Sequence, residues 1–206
     1  MSKQIILASA SPSRKRILES IGIEPRIVVS GVEEETPELL ALKPADLVIA
    51  LAILKAHTVY ANDPSLTGAL IIGCDSTFEF ESESLGKPLT EENAIARCRQ
   101  LSGKSGYLHT GHCVIDTDQG IEVADISTSK VTFAHMTEHE IENYVATGEP
   151  LQVAGGFTLD GHSAPFISHI EGDPSGIIGL SLPTLRKITI NLGLEWSDVV
   201  PVRVNK

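Results

Sequence analysis

The chain is short of cysteine, of positive charge and of long apolar runs, and each shortage excludes something. Its three cysteines, Cys74, Cys98 and Cys113, are odd in number and show no C-x-x-C spacing. That argues against a disulfide framework and fits a reducing compartment. Lys and Arg number 16 against 27 Asp and Glu, a net charge of −11. Such a surface repels a phosphate backbone, so a nucleic-acid polymer is not an expected partner. The longest apolar run, Leu47 to Leu54, has eight residues and is too short to cross a bilayer. The apolar run Ile5 to Ala8 near the N-terminus is too short for a signal peptide. A soluble, cytoplasmic protein with no membrane partner is expected. There is no internal repeat, low-complexity tract or flexible linker, which points to a single domain over 1–206. What is present is an ordinary globular composition, 42% hydrophobic and 21% charged, long enough to bury a core without disulfides or a structural metal.

The first half alternates strand and helix. Gln4 to Ala8 reads as a buried strand, Ser11 as an N-cap and Pro12 as the first residue of a helix reaching Ile21. A second strand is predicted over Pro25 to Ser30, a helix from Pro44 to about Ala61, and a strand from Ala69 to Gly73. Thr90 caps a helix over Glu91 to Leu101. Two long strand-like segments, Gly106 to Ile115 and Ile121 to Ala134, flank a hairpin turn. Thr137 and Glu140 form a capping box for a helix over Glu138 to Ala146. Glycine-rich loops at 155–161 and 172–179 precede a last helix, Pro183 to Leu192. The pattern predicts an α/β fold, with α+β as the variant, built on a mixed, partly antiparallel sheet.

Chemistry concentrates in few places. Arg14, Lys15 and Arg16 occupy the start of a helix, where the macrodipole disfavours cations. A sequence that tolerates this gathers positive potential for an anion, which the free N–H groups of the helix start and the Ser9 and Ser11 hydroxyls would help to hold. The other reading is a solvated basic face, and it suits Lys15 and Arg16 better than Arg14. The loop lacks the P-loop pattern. Asp75 is expected at the C-terminal end of its strand, on the rim where α/β sheets bind ligands. There it could take a proton from water, hold a divalent cation, or only cap the following turn. Glu33, Glu34 and Glu35 offer a second carboxylate or a solvated acidic loop. Lys55 in an apolar helix and Lys87 in a Gly-Lys-Pro turn are phosphate contacts or surface lysines. His109 and His112 lie three apart on a predicted strand and so on opposite faces, which argues against a shared zinc ion. Gly155-Gly156 and the glycines of 172–176 suit either close backbone approach to a ligand or simple turns.

The segment Leu7-Ala8-Ser9-Ala10-Ser11-Pro12-Ser13-Arg14 resembles the opening signature of the Maf family of nucleoside triphosphate pyrophosphatases. Similar blocks follow in the family's order: Val32-Glu33-Glu34, Leu54-Lys55-Ala56, Ile72-Gly73-Cys74-Asp75-Ser76, Leu85-Gly86-Lys87-Pro88, Leu101-Ser102-Gly103, Tyr144, Gly148-Glu149-Pro150, Ala154-Gly155 and Ile177-Ile178-Gly179-Leu180-Ser181-Leu182-Pro183. They cover essentially the whole chain. His109 to Cys113 and Phe157 to Gly161 look like the actinobacterial branch. The resemblance implies a cytoplasmic homodimer of mixed-sheet, Maf/ITPase-like fold with two lobes around a cleft. The implied reaction is metal-dependent hydrolysis of a nucleoside triphosphate to the monophosphate and pyrophosphate, with magnesium or manganese. By motif, Asp75 becomes the base that activates water. Ser9, Arg14, Lys55 and Lys87 grip the triphosphate, and Glu34 with Asp75 holds the metal.

Three positions implied to set substrate choice depart from the family's subgroups. The pyrimidine-preferring subgroup has Arg, Thr and Gln where this chain has Ser13, Ser76 and Asp160. The subgroup acting on 7-methyl-GTP has Trp, Gln and Glu there. This chain matches neither, and the charge of Asp160 points toward a purine base, whose edge could donate to a carboxylate. Two other readings stand beside the pyrophosphatase: a non-catalytic nucleotide-binding regulator of cell division or septum formation, and a phosphatase of small phosphometabolites.

Overall fold

Residues 3–63 and 65–200 are described by the computed structural model, so residues 1–2, 64 and 201–206 of the expected single domain lie outside it. The chain runs β1 (Gln4–Leu7), α1 (Pro12–Ser20), β2 (Arg26–Ile27), α2 (Pro37–Leu40), α3 (Pro44–Asn62), β3 (Ala69–Phe80) and β4 (Glu83–Leu85). It continues through α4 (Glu91–Leu101), β5 (Ser105–Asp116), β6 (Ile121–Phe133), α5 (Glu138–Ala146) and β7 (Ile167–Glu171). The last elements are α6 (Pro174–Ile178), α7 (Leu182–Asn191) and α8 (Trp196–Val199). The strands form one seven-stranded mixed sheet in the order β2-β1-β3-β5-β6-β7, with β4 also paired to β3. β1 is parallel to β2 and β3, whereas β3, β5, β6 and β7 are successively antiparallel. The expected α/β class and mixed, partly antiparallel sheet are therefore what the chain adopts.

Strand alternation explains the layers. Ile5, Leu7, Leu70, Ile72 and Cys74 point to one face, where they pack with Leu18 of α1 and with Leu185 and Ile188 of α7. Ile6, Ala69, Ile71 and Cys113 point to the other, against Ala52, Ala56 and Val59 of α3. The first half of the sheet is covered on both faces, which is why its short strands read as continuous apolar runs. The starts of α1 and α4 follow the predicted caps, with the Ser11 and Thr90 side chains accepting backbone N–H groups. Ser181 does the same at the start of α7, where no cap is predicted. The Thr137–Glu140 capping box is complete.

Helix α3 alone in the described chain is long and apolar enough by composition to span a membrane. It lies instead along β3 and β5, with a buried stripe of Val48, Leu51, Ala52, Lys55, Ala56 and Val59 at helical spacing. Two glycines let it come close. A Cβ on Gly73 would stand 2.1 Å from the Ala52 carbonyl oxygen, and one on Gly111 would stand 2.2 Å from that of Val48. The backbone of α3 therefore rests directly on the sheet at both points.

Several sequence expectations change. The second strand is only Arg26–Ile27 rather than Pro25 to Ser30, because β1 pairs with it at just two positions. Strand β3 does not stop at Gly73. It runs to Phe80 because β5 stays paired to it as far as Glu79↔Tyr107. Asp75 is thus in mid-strand, not at a strand end. The segment 172–179 contains α6, capped by the Asp173 carboxylate, and is not simply a loop. β4 and β7 have no counterpart in the sequence reading.

Replacing Gly73 with alanine is expected to destabilise the fold by about 1–3 kcal/mol, because the helix backbone must move away from the sheet. Chemical denaturation measures this, and an unchanged midpoint would mean that α3 can shift without cost.

Candidate active site

One edge of β3 explains where the site lies. Along that edge β1 pairs with β3 through Leu7↔Ile72, and β4 takes over only at Phe78↔Leu85. Between them, residues 73–77 have no strand neighbour on that side among the described residues. Ala8 N–H still donates to the Ile72 carbonyl at 2.8 Å. The next carbonyl facing the same way, that of Cys74, accepts instead from Arg14 Nη1 at 2.8 Å. The guanidinium takes the rung that a longer β1 would have filled. Around this gap opens a cleft of about 970 Å³, a size that accommodates a nucleotide-scale ligand.

Alternation along β3 sends Asp75 and Ser76 to opposite faces of the sheet. Asp75 meets α3, where Lys55 Nζ lies 2.6 Å from its Oδ1 and 2.7 Å from Glu34 Oε1. Lys55 is only 6% exposed, whereas Glu34 sits on the open loop before α2. One ammonium thus joins two carboxylates at the cleft wall and leaves Asp75 Oδ2 uncommitted among the described residues. Ser76 meets α1 on the other face. Its Oγ accepts from Arg14 Nη2 at 3.1 Å and contacts Thr110 Oγ1 at 2.9 Å. Thr110 spends its only hydroxyl hydrogen on the Gly176 carbonyl, so Ser76 must be the donor to Thr110.

Arg14 is buried, with 8% exposure. Besides Cys74 O and Ser76 Oγ it donates through Nε to Gly179 O at 2.8 Å and through Nη1 to Ser9 Oγ at 2.9 Å. Four of its five N–H groups are used, every one on a neutral acceptor, and a fifth has no acceptor among the described residues. No carboxylate neutralises it among the described residues. A buried charge without a counter-ion is costly, and an anion in the cleft would supply what the protein withholds. Ser9 Oγ accepts from both Arg14 and the Ser11 N–H, which leaves its own hydrogen available to a ligand.

The remaining expected site residues fall around the same opening. Lys87 lines it from the turn after β4 and is exposed; Ser13, Ser76 and Asp160 line it too. Asp160 Oδ2 and Ser13 Oγ each lie 3.0 Å from Arg16 Nη2. The three adjacent cations therefore part company. Arg14 turns inward, Arg16 pairs with Asp160 at the cleft mouth, and Lys15 pairs with Glu19 on the helix surface. Of the three glutamates, Glu34 and Glu35 line the cleft and Glu33 does not.

The histidines go separate ways. His109 bonds to Glu79 and Thr128, while His112 Nε2 accepts the Ser181 backbone N–H from the opposite face. Among the described residues no group of three His, Cys, Asp or Glu side chains could hold a metal. Glu34 and Asp75 are only two, and Lys55 already lies between them. Their carboxylate oxygens are nonetheless the hard donors that magnesium or manganese takes when phosphate and water complete the shell. The set fits a metal that arrives with its substrate. Gly155 and Gly156 are packing positions: added Cβ atoms would press on Phe78 and on Pro88.

Two contributors have no role assigned in the sequence reading. Thr110 carried no local signal, because its role depends on register. Glu149 sits in Gly148-Glu149-Pro150, and its carboxylate accepts from Thr158 Oγ1, the His162 N–H and His162 Nδ1. It thereby fixes the loop that presents Asp160. Leu89, on the cleft wall, holds φ at 66°, a left-handed conformation costing about 1–2 kcal/mol in a non-glycine residue.

Burial, aided by the nearby Arg14 charge, pushes the His112 pKa down to about 4. The unfolded chain takes up that proton near pH 6.5, so folding stability falls as pH drops from about 6.5 to about 4. The melting temperature of a His112→Asn variant is expected to depend less on pH across that window. An unchanged slope would place the titration elsewhere.

The family model described as Maf-like protein matches residues 4–192. A relative from Streptomyces coelicolor named nucleoside triphosphate pyrophosphatase is 49% identical over 197 residues, covering 96% of this chain and 94% of the relative. A second from Nostoc punctiforme, with the same name, is 45% identical over 193 residues, covering 94% and 95%.

Proposed function

Because the chain belongs to the Maf-like protein family, we propose that it is an enzyme that hydrolyses nucleoside triphosphates to the monophosphate and pyrophosphate. The observation that supports this most is the buried Arg14 charge, held by neutral acceptors alone and facing a cleft of nucleotide size.

In this reading the triphosphate lies along the open edge of β3. Arg14 offers its charge and one free N–H, Ser9 its hydroxyl hydrogen, and Lys87 an exposed ammonium on the cleft lining. Asp75 is the base. Lys55 holds Oδ1, so Oδ2 is left to accept a proton from water as the water oxygen bonds to the α-phosphorus. The bond from that phosphorus to the α–β bridging oxygen breaks, and pyrophosphate leaves. The protein's contribution is positioning and charge placement, which is what phosphoryl chemistry asks for. Glu34 and Asp75 would hold a magnesium or manganese ion, which when bound neutralises charge developing on the phosphates. The family resemblance supports a cytoplasmic homodimer, and the net charge of −11 favours a nucleotide over a nucleic-acid polymer as ligand.

Release of pyrophosphate from a panel of nucleoside triphosphates, with magnesium or manganese, tests the reading. Asp75→Asn is expected to lower kcat by at least about 10²-fold, the scale of general-base catalysis, while nucleotide binding survives. Nucleotide binding without release in the wild type would favour a nucleotide-binding regulator. Orthophosphate as the sole product would favour a phosphatase.

Asp160, anchored by Arg16 through one oxygen, keeps the other for a donor edge such as that of guanine. Asp160→Gln is expected to shift the ratio of kcat/KM for GTP over UTP toward UTP. An unchanged ratio removes Asp160 from base selection.

A further inference from the structure

A second, smaller cleft of about 330 Å³ lies behind the Lys87 turn, lined by Lys87, Pro88 and, from α4, Asn93, Ala96, Arg97 and Gln100. Its lining holds two cations and no carboxylate, in a chain with an excess of 11 negative charges. Seven of the twelve other cations of the described chain have an acidic partner: Lys3 with Asp116, Lys15 with Glu19, Arg16 with Asp160, Lys55 with Asp75, Arg99 with Glu138, Lys104 with Glu81 and Lys187 with Asp125. Lys87 and Arg97 have none within ion-pair distance among the described residues.

The local hydrogen bonds sharpen the asymmetry. Arg97 Nη1 donates to the Gly86 carbonyl at 3.2 Å, and Asn93 Nδ2 donates to the Pro88 carbonyl at 3.1 Å. These bonds tie the Lys87 turn to α4 and engage the carbonyls on either side of Lys87. What remains toward the cleft is the rest of the Arg97 guanidinium, the Lys87 ammonium and the Gln100 amide. The Arg97 stem packs beside Gly156, where an added Cβ would stand 3.6 Å from its Cγ. Burial lowers the Arg97 pKa, the mark of a cation drawn partly out of water with no carboxylate to compensate it.

We propose that this cleft is a second anion site that takes inorganic pyrophosphate. The inference rests on the pyrophosphatase reading for the identity of the anion, since Lys87 lines both clefts. A leaving group set down at Lys87 meets the Arg97 guanidinium as the next cation along the same turn. The second cleft is thus a way-station for product and a site of product inhibition.

Titration calorimetry of the intact protein with metal-free inorganic pyrophosphate is the test, alongside Gln100→Glu and Arg97→Gln. The glutamate variant adds a repelling carboxylate while leaving the Arg97–Gly86 contact in place. Arg97→Gln removes the charge directly, and melting temperatures verify that both fold. Wild type is expected to bind pyrophosphate at two sites per chain. In each variant the second site should weaken by at least about tenfold, the scale of a lost charge-assisted hydrogen bond. Product inhibition should then change from mixed to purely competitive, with kcat/KM for the nucleotide unchanged in Gln100→Glu. One site per chain in the wild type, or two undiminished sites in both variants, would overturn the proposal. Two-site binding that is lost in the variants, in a protein that releases no pyrophosphate from any nucleotide, would leave this site standing and sink the pyrophosphatase reading instead.

Discussion

The close approach of α3 to the sheet is the constraint on which the site depends. Gly73 and Gly111 remove the side chains that would hold the helix backbone away from β3 and β5. Only then does Lys55, on the buried stripe of α3, come within 2.6 Å of Asp75. The cation is tolerated there because two carboxylates receive it, and the pair in turn fixes one oxygen of Asp75. A glycine that a sequence reader would take for a weak strand position is thus what brings base and cation together.

The second constraint is an interrupted edge. β1 ends too early to cover β3, and β4 begins too late. Among the described residues, five of β3 are left without a strand on that side. Arg14 closes part of the gap, and the cleft occupies the rest. This explains why one stretch of strand serves both faces, with Asp75 turned to α3 and Ser76 to α1. It also revises what Arg14 does. With four N–H groups spent on Gly179, Ser9, Cys74 and Ser76, it acts as a scaffold that projects charge, and it keeps only one N–H for a ligand.

Much of this was legible in the sequence. The caps at Ser11, Thr90 and Thr137, the α/β alternation and the β5–β6 hairpin follow from local rules. Asp75, Lys55, Arg14 and Glu34 were singled out by residue type and by the ordered blocks around them, and the fold brings them to one cleft. The length of β3 was not legible, because Cys74 to Phe80 carries no boundary signal apart from its pairing with β5. The partners of Arg14 were hidden for a related reason. Two are backbone carbonyls, and Ser76 reaches Thr110 only through strand register. Glu149 was visible as a motif residue, but its task depends on the return of the 158–162 loop.

The central claim is that the glycine contact acts on the chemistry through Lys55. A double-mutant cycle of Gly73→Ala and Lys55→Ala, read as kcat/KM for pyrophosphate release per folded molecule, tests it most directly. The two losses should be strongly non-additive, with Gly73→Ala costing little once Lys55 is gone. If Gly73→Ala reduces kcat/KM by the same factor in both backgrounds, the close approach serves packing alone and the account of the site is wrong.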